Sequence, residues 1–237
     1  MLVSNLSSPR FAAEPGERAA LEQAAKHIER AFRAGGLQPM SDPYLVGGYV
    51  ARNIEVEIPG ASSELFVIGT HYDSVSGQPG AGVGVLAELA TRLSRGGVTP
   101  SKTLRLVAFA SEEGRFTRTD EMGSRIYARR CAGRGETIAG MISLELIGDG
   151  TRPLKVIGNL RSRRLAKQVA KAVSVAGPVK RSSLGFLPGR RSSAHWSFWK
   201  EGWPAVLVTD GAAKRNQPEP DFDRMERVAQ ALVDFVR

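Results

Sequence analysis

The sequence predicts an α/β fold, a three-layer sandwich in which a mostly parallel central sheet carries helices on both faces. Strand-like and helix-like segments alternate along the chain, and most strand-like runs are continuously apolar, which is typical of strands covered on both faces. The length of 237 residues, with 42% hydrophobic content, suits one such domain. We therefore expect residues 1–237 to form a single domain, with residues 1–13 flexible.

Hydrophobic periodicity places the individual elements. Apolar side chains in residues 14–34 recur at the spacing of one helix face, and Gly35-Gly36 ends the pattern. Further helices are predicted over Val83–Leu93, Met122–Arg130, Leu165–Val175 and Phe222–Val236, with a short one starting at His195. Strands are predicted over Tyr49–Ile58, Leu65–Thr70, Leu104–Ala110, Met141–Ile147, Leu154–Ile157 and Ala205–Thr209.

The formal net charge of +9 comes from one segment. Residues 150–200 hold twelve of the 33 Lys and Arg and none of the 24 Asp and Glu, which leaves 21 basic against 24 acidic residues elsewhere. No aromatic residues interleave with the basic ones in the manner of a strand-binding platform. A solvated basic face is the expected interpretation, and binding of anions or nucleic acid stays open as an alternative.

The single cysteine, Cys131, excludes an internal disulfide framework and a cysteine-rich zinc site. Neighbouring arginines could lower the pKa of its thiol, but a structural role is the expected one. The first thirty residues contain no apolar core of a signal peptide, and no run approaches 18 apolar residues. We therefore expect a cytoplasmic protein without a membrane span.

Polar side chains follow three predicted strands directly. His71 and Asp73 come after the first, the pair Glu112-Glu113 after the second, and Glu145 within the end of the third. Carboxyl ends of parallel strands meet at one edge of a sheet, where sites of α/β proteins gather. Histidine with carboxylates is a ligand set for zinc, and two adjacent Glu side chains diverge on an extended backbone. Each group alone is more often structural, so together they predict a candidate metal site.

Longer phrases around these residues resemble a known family. VIGTHYDSVSGQPGA, LRLVAFASEEGRF, EMGSRIYARR, MISLELIG, HWSFWKEGWPAVLVTD and DFDRMERVAQALVDFV occur in the order found in the co-catalytic zinc aminopeptidases of the aminopeptidase Y and bacterial leucyl aminopeptidase type. The resemblance covers nearly the whole chain from about residue 14. It implies the zinc-exopeptidase fold, which glutaminyl cyclases share.

The resemblance also implies roles for the strand-end residues. His71 and Glu145 match ligands of one zinc ion, and Glu113 matches a ligand of the second. Glu112 matches the general base that takes a proton from the activated water, and Asp73 matches the carboxylate behind His71. The implied substrate is a peptide, and the implied product is its N-terminal amino acid.

Three departures from the family affect the metal ligands. Pro79-Gly80-Ala81 runs directly into the next helix, without the phrase that supplies an Asp bridging both ions. Residues 216–221 lack the histidine that binds the second zinc, and Ala194 stands before His195 where an Asp is usual. The remaining donors suit one zinc ion at most, or none. We expect His195 to be a packing residue and Asp221 to cap the last helix.

Three functions are thus compatible with the sequence. The first is a metal-dependent aminopeptidase that is impaired or works with one ion. The second is an inactive relative that binds peptides or a protein partner, and the third is an anion or nucleic-acid binder that uses residues 150–200. Without metal, repulsion between the crowded carboxylates should either raise some of their pKa values or open the site. Arg115, Arg118 and Arg125 are the candidates for neutralising them.

Overall fold

The computed structural model describes residues 9–10, 14–74, 80–183, 193–211 and 220–237, and these form one eight-stranded sheet flanked by helices. The strand order is β1-β2-β4-β3-β5-β8-β6-β7. The central pairs β4-β3, β3-β5 and β5-β8 are parallel, and so is β6-β7 at one edge. The pairs β1-β2, β2-β4 and β6-β8 are antiparallel. The predicted α/β sandwich with a mostly parallel sheet is confirmed.

The strands are β1 Met40–Val46, β2 Tyr49–Ile58, β3 Leu65–His71, β4 Thr103–Phe109, β5 Ile138–Leu144, β6 Leu154–Ile157, β7 Val179–Ser182 and β8 Ala205–Thr209. Six of them were predicted, although β5 begins and ends three residues earlier than expected. The strands β1 and β7 were missed. Both lie at the outer edges of the sheet, where one side needs no partner and apolar alternation is weak.

The helices are α1 Arg18–Ala34, α2 Ala81–Arg95, α3 Gly123–Gly133, α4 Arg163–Val173, α5 His195–Lys200 and α6 Phe222–Val236. All six were predicted, with boundaries shifted by a few residues. The first helix is preceded by a 3₁₀ turn at Pro15–Glu17. The carboxylate of Asp221 accepts the Arg224 amide at 2.9 Å, which confirms the predicted N-cap of α6.

Two apolar clusters cover the two faces of the sheet. The larger one joins α1, α2, α4 and α6 to one face, and the smaller one joins α3 and α5 to the other. Successive residues of β3 alternate between them, with Phe66 and Ile68 in the larger cluster and Val67 in the smaller. The central strands are therefore buried on both sides, as their continuous apolar runs indicate. Among the described residues, no helix combines the length and apolar character that a membrane crossing requires.

A partly exposed ion-pair network lies beside Cys131 on α3. Arg105 of β4 donates to both oxygens of Glu136, at 2.9 and 3.1 Å, and Arg134 donates to the same carboxylate. Burial raises the pKa of the Cys131 thiol to about 12, and the charge of Glu136 acts in the same direction. The thiol is therefore protonated and buried, so the nearby arginines do not activate it and the expected structural role fits.

The Glu136 carboxylate should make a pH-dependent contribution to stability. Burial raises its pKa, but the hydrogen bonds from Arg134 and Arg105 outweigh that effect and lower the pKa to about 2, from 4.5. A lowered pKa stabilises the fold above the unfolded value, and this contribution is lost as the pH falls from about 4.5 towards 2. We expect Glu136→Gln to reduce the free energy of unfolding by about 2 kcal/mol at pH 7 and by almost nothing near pH 2.

Urea unfolding of both proteins across this pH range measures the difference. The matched control is Glu57→Gln, because Glu57 binds the same arginine at 2.8 Å from a more exposed position. It should cost less than about 1 kcal/mol at any pH. If the loss of unfolding free energy in Glu136→Gln does not change with pH, the lowered pKa of Glu136 is not the source of this stability.

Candidate functional site

The carboxyl ends of three neighbouring parallel strands bring the predicted site residues together. His71 ends β3, Asp73 follows it, Glu112 and Glu113 follow β4, and Glu145 follows β5. Because β4, β3 and β5 are adjacent, all five residues lie at one edge of the sheet. His71 is electrostatically coupled to Asp73, Glu113 and Glu145. The expected convergence is therefore present.

Asp73 is fully buried at the centre of this cluster. Its Oδ2 accepts the backbone amides of Glu112 and Glu113, at 2.9 and 3.1 Å. Its Oδ1 lies 3.4 Å from Nδ1 of His71, and no donor among the described residues makes a good hydrogen bond to it. One carboxylate thus fixes the start of the loop after β4 relative to the end of β3.

His71 is oriented through its Nδ1 atom. Nδ1 lies 2.9 Å from the backbone carbonyl oxygen of Asp73, so the ring donates there and Nε2 is left facing Glu113. The distance from Nε2 to Oε1 of Glu113 is 4.0 Å. Burial lowers the pKa of His71, but the hydrogen bond to Asp73 and the negative charges of Glu145, Asp73 and Glu113 raise it to about 10. The imidazole is therefore an imidazolium at neutral pH, and a metal ion would have to displace its proton.

Glu112 and Glu113 point in different directions, as their extended backbone predicts. Glu112 is buried, and its two oxygens accept the Ser124 amide at 2.7 Å and the Ser124 hydroxyl at 2.9 Å. Glu113 is half-buried and faces His71. Burial raises the pKa of Glu112 to about 8, although Ser124 opposes the shift. The predicted rise is confirmed, but burial causes more of it than repulsion by neighbouring carboxylates.

The unpredicted strand β1 supports the loop that carries Glu112. Ser111 has a φ of +57°, a left-handed conformation that turns the chain sharply after β4. The Tyr44 hydroxyl donates to the Ala110 carbonyl at 3.0 Å, and the Asn53 side chain accepts the Ala110 amide at 3.3 Å. These buried bonds hold the strained turn in place.

Two groups near Glu145 and the loop after it were missed by sequence reasoning. Burial raises the pKa of Glu145, while the charge of His71 and the nearby Ser193 hydroxyl oppose the rise. Asp210, at the end of β8, accepts the amides of Gly148 and Asp149 in the following loop. Asp210 ends an apolar strand just as His71 does, so the same sequence criterion would have found it.

The first turn of α2 packs directly against the end of β3. A Cβ atom on Gly82 would lie 2.3 Å from the Thr70 hydroxyl oxygen and 2.8 Å from the Leu144 carbonyl oxygen. The cavity that remains beside this turn is ≈ 20 Å³, which is about the space of one water molecule. It is lined by Arg10, His71, Asp73, Glu145 and the first residues of α2. Ala81, Gly82 and Val83 supply no carboxylate to it.

A cation enters the site from an unexpected part of the chain. Arg10 is buried, and the charges of Asp73 and Glu113 act on its guanidinium. The arginines expected there have other neighbours: Arg125 pairs with Asp120 and Glu201, and Arg115 lies over the Phe116 ring. Proximity in sequence to Glu112 thus did not place Arg115 or Arg125 beside Asp73, and the expectation for Arg118 stays a prediction.

His195 is buried at the start of α5, and its ring contacts the Trp199 ring edge-on at 4.5 Å between centroids. This arrangement agrees with the expected packing role. The other histidine, His27, lies on α1. The residues 216–219 examined for a second metal ligand are outside the described residues.

The donor atoms were tested against a metal ion. Among the described residues, no group of three or more His, Cys, Asp or Glu is arranged to hold one. In the remaining parts of the chain, Glu219 is the single residue of these four types. A zinc ion lies about 2.0–2.2 Å from each donor, so one ion can join two atoms about 4 Å apart, as His71 Nε2 and Glu113 Oε1 are. These two donors are fewer than the three protein ligands that a catalytic zinc site usually has. The described residues therefore offer at most an incomplete site for one ion, and none for two.

The described cations of the basic segment lie on other elements than the site residues. They belong mainly to α4 and to strands β6 and β7, and they include Lys155, Arg161, Arg163, Arg164, Lys167, Lys171, Lys180 and Arg181. A shallow depression near β7 is lined by Lys167, Lys171 and Arg181. Binding of anions or nucleic acid by the basic segment stays a prediction.

Comparison with known proteins identifies relatives over nearly the whole chain. A family model described as peptidase family M28 matches residues 53–233. The uncharacterized protein YfbL of Escherichia coli (strain K12) is 30% identical over 255 residues, which span 90% of this chain and 77% of YfbL.

Solved structures share the fold at low sequence identity. A leucine aminopeptidase precursor from Bacteroides thetaiotaomicron superimposes with a TM-score of 0.76 at 15% identity, over 99% of this chain and 92% of that one. A Zn-dependent exopeptidase from Parabacteroides distasonis gives a TM-score of 0.74 at 15% identity, over 99% and 94%. Both confirm the zinc-exopeptidase-like fold predicted from the sequence.

The close contact of α2 with β3 predicts a cost for any side chain at position 82. We expect Gly82→Ala to lower the free energy of unfolding by about 1–3 kcal/mol, because its Cβ meets the Thr70 hydroxyl and a backbone carbonyl. Gly133→Ala is the matched control, since a Cβ there has no neighbour within 4 Å. It should be neutral or stabilising by up to about 1 kcal/mol. Equal effects in thermal unfolding would contradict this packing.

Proposed function

The chain belongs to peptidase family M28, and from this membership we propose that it is a metal-dependent peptidase that releases N-terminal residues from peptides with one divalent cation, zinc by preference. The observation that carries the proposal is the orientation of His71. Its Nδ1 is engaged by the Asp73 carbonyl, and its Nε2 faces the Glu113 carboxylate at 4.0 Å. A zinc-binding histidine is characteristically oriented by such a bond from its other nitrogen.

Three side chains would hold the cation. His71 offers a nitrogen and Glu113 an oxygen, and Glu145 lies within electrostatic reach of both. Nitrogen with carboxylate oxygens is a donor set that zinc accepts. Because the described groups offer two close donors, we expect weaker binding than at a site with three ligands.

The cation, when bound, supplies polarisation of the scissile carbonyl and lowers the pKa of a water molecule. Glu112 is the residue that accepts the proton, since its pKa of about 8 lies near the operating pH of a general base. Ser124 donates one hydrogen bond to each oxygen of the Glu112 carboxylate. Each of these carboxylate oxygens keeps a second lone pair that can accept a hydrogen bond from a water molecule. Asp73 keeps Glu112 and His71 in a fixed relation through the bonds described above.

The negative charge of the site suits the amino terminus of a peptide. Glu113 and Glu145 are both partly exposed at the edge of the sheet. An ammonium group that enters beside them gains charge-assisted hydrogen bonds, which a blocked amino terminus does not. This difference supports an aminopeptidase rather than an endopeptidase.

A second candidate is a metal-free member of the family that binds peptide amino termini without cleaving them. It is favoured by the small number of metal donors. The chain has three histidines, of which His27 lies on α1 and His195 packs against Trp199. It is also favoured by the burial of Glu112. The same carboxylates would bind the ammonium group in both cases.

Zinc reconstitution with an aminoacyl-anilide substrate tests the first candidate. We expect at most one zinc ion per chain, and hydrolysis that depends on added zinc. Glu112→Gln should lower kcat by about 10²- to 10⁴-fold while zinc binding remains, because it removes the proton acceptor. His71→Ala should remove the zinc itself.

The matched control is Glu64→Gln, because Glu64 is exposed and pairs with Lys102 at the opposite end of β3. It should leave both zinc binding and kcat unchanged. No stoichiometric zinc after reconstitution would contradict the peptidase assignment. Activity that survives Glu112→Gln would contradict the role of Glu112 as the proton acceptor. Zinc-independent binding of a free-amino peptide, absent for its N-acetylated form, would then establish the second candidate.

A further inference from the structure

Arg10 reaches the candidate site through a local backbone pairing. Its amide donates to the Ser74 carbonyl and its carbonyl accepts the Ser74 amide, both at 2.8 Å. This antiparallel bridge lies one residue after Asp73. It brings a segment from the start of the chain against the residues that follow β3.

The Arg10 side chain is fixed in direction. It is 2% exposed, and its Nε donates to the Tyr72 carbonyl at 2.5 Å. It lines the ≈ 20 Å³ cavity together with His71, Asp73 and Glu145. A guanidinium group stays charged in proteins, so a buried one has to lie beside negative charge.

Carboxylates of the site supply the negative charge near Arg10, and two of them, Asp73 and Glu145, line the same cavity as Arg10. Burial lowers the pKa of Arg10, while the charges of Asp73 and Glu113 act in the opposite direction and favour its charged form. The carboxylates of Asp73, Glu113 and Glu145 repel one another, and the positive charges of His71 and Arg10 oppose that repulsion. Among the described residues, the cavity that Arg10 shares with His71, Asp73 and Glu145 is small, at ≈ 20 Å³.

We propose that Arg10 is a built-in cation of this site, whose guanidinium neutralises the Asp73 and Glu113 carboxylates where a second divalent ion would otherwise be needed. Arg10 is a positioning residue: it stabilises the cluster without metal and limits the affinity for a divalent ion. Arg10 and a divalent ion compete for the same carboxylates, so this role rests on the metal site of the proposed function but not on hydrolysis.

The first test measures zinc affinity without any substrate. Full-length wild type, Arg10→Gln and Arg10→Lys are titrated with zinc alone by competition with a fluorescent chelator. We expect Arg10→Gln to bind zinc at least 10-fold more tightly than wild type, because the competing charge is gone. Arg10→Lys keeps that charge and should stay within about 3-fold of wild type.

The second test measures coupling in the metal-free protein. In EDTA, Arg10→Gln should lower Tm, and Glu113→Gln should offset part of that loss in the double variant, because it removes the charge that Arg10 neutralises. If Arg10→Gln alone does not fold, the double variant should fold. Arg161→Gln is the matched control, since Arg161 donates to the Gly202 carbonyl at 2.7 Å and has no described carboxylate partner. It should change neither zinc affinity nor the effect of Glu113→Gln.

Two results would overturn the proposal. One is a folded Arg10→Gln protein with the zinc affinity of wild type. The other is a double variant that loses as much Tm as Arg10→Gln alone, or that also fails to fold. Either would reduce Arg10 to an anchor of the first segment. A wild-type protein without hydrolytic activity would instead overturn the proposed function and leave these affinities and couplings unaffected.

Discussion

The carboxylate of Asp73 is the constraint on which the whole edge of the sheet depends. One of its oxygens accepts two consecutive amides from the loop after β4, and the other faces the His71 ring. A neutral residue could not accept both amides and attract the imidazolium and Arg10 at once. The relative position of the β3 and β4 ends therefore follows from a single buried charge, and that charge in turn requires nearby cations.

The arrangement of α2 follows from the same requirement. The start of α2 lies close to the end of β3. Here the helix begins with small residues and lies against Thr70, and a small cavity is left. Protein groups thus occupy most of the volume, and the carboxylates that remain are balanced by His71 and Arg10.

The sequence allowed the central fold and the main polar residues to be predicted, because both have local signatures. Strands such as β3 and β4 are continuous apolar runs, and His71, Glu112 and Glu145 follow their ends. The edge strand β1 was missed because Ser41, Asp42 and Pro43 interrupt any apolar alternation. Arg10 and Ser193 were missed for a different reason: their roles arise from contacts over long sequence distances, which no local periodicity encodes.

Because Cys131 is buried, its reactivity reports how often α3 separates from β4. Its sulfur lies inside the smaller apolar cluster and is the only thiol in the chain. A protonated, enclosed thiol reacts with alkylating reagents only when α3 moves away from β4, so the rate of labelling follows the population of open molecules. The labelling rate of Cys131 therefore compares the local stability of all variants of the site. It needs no engineered label and no assumption about what the protein binds.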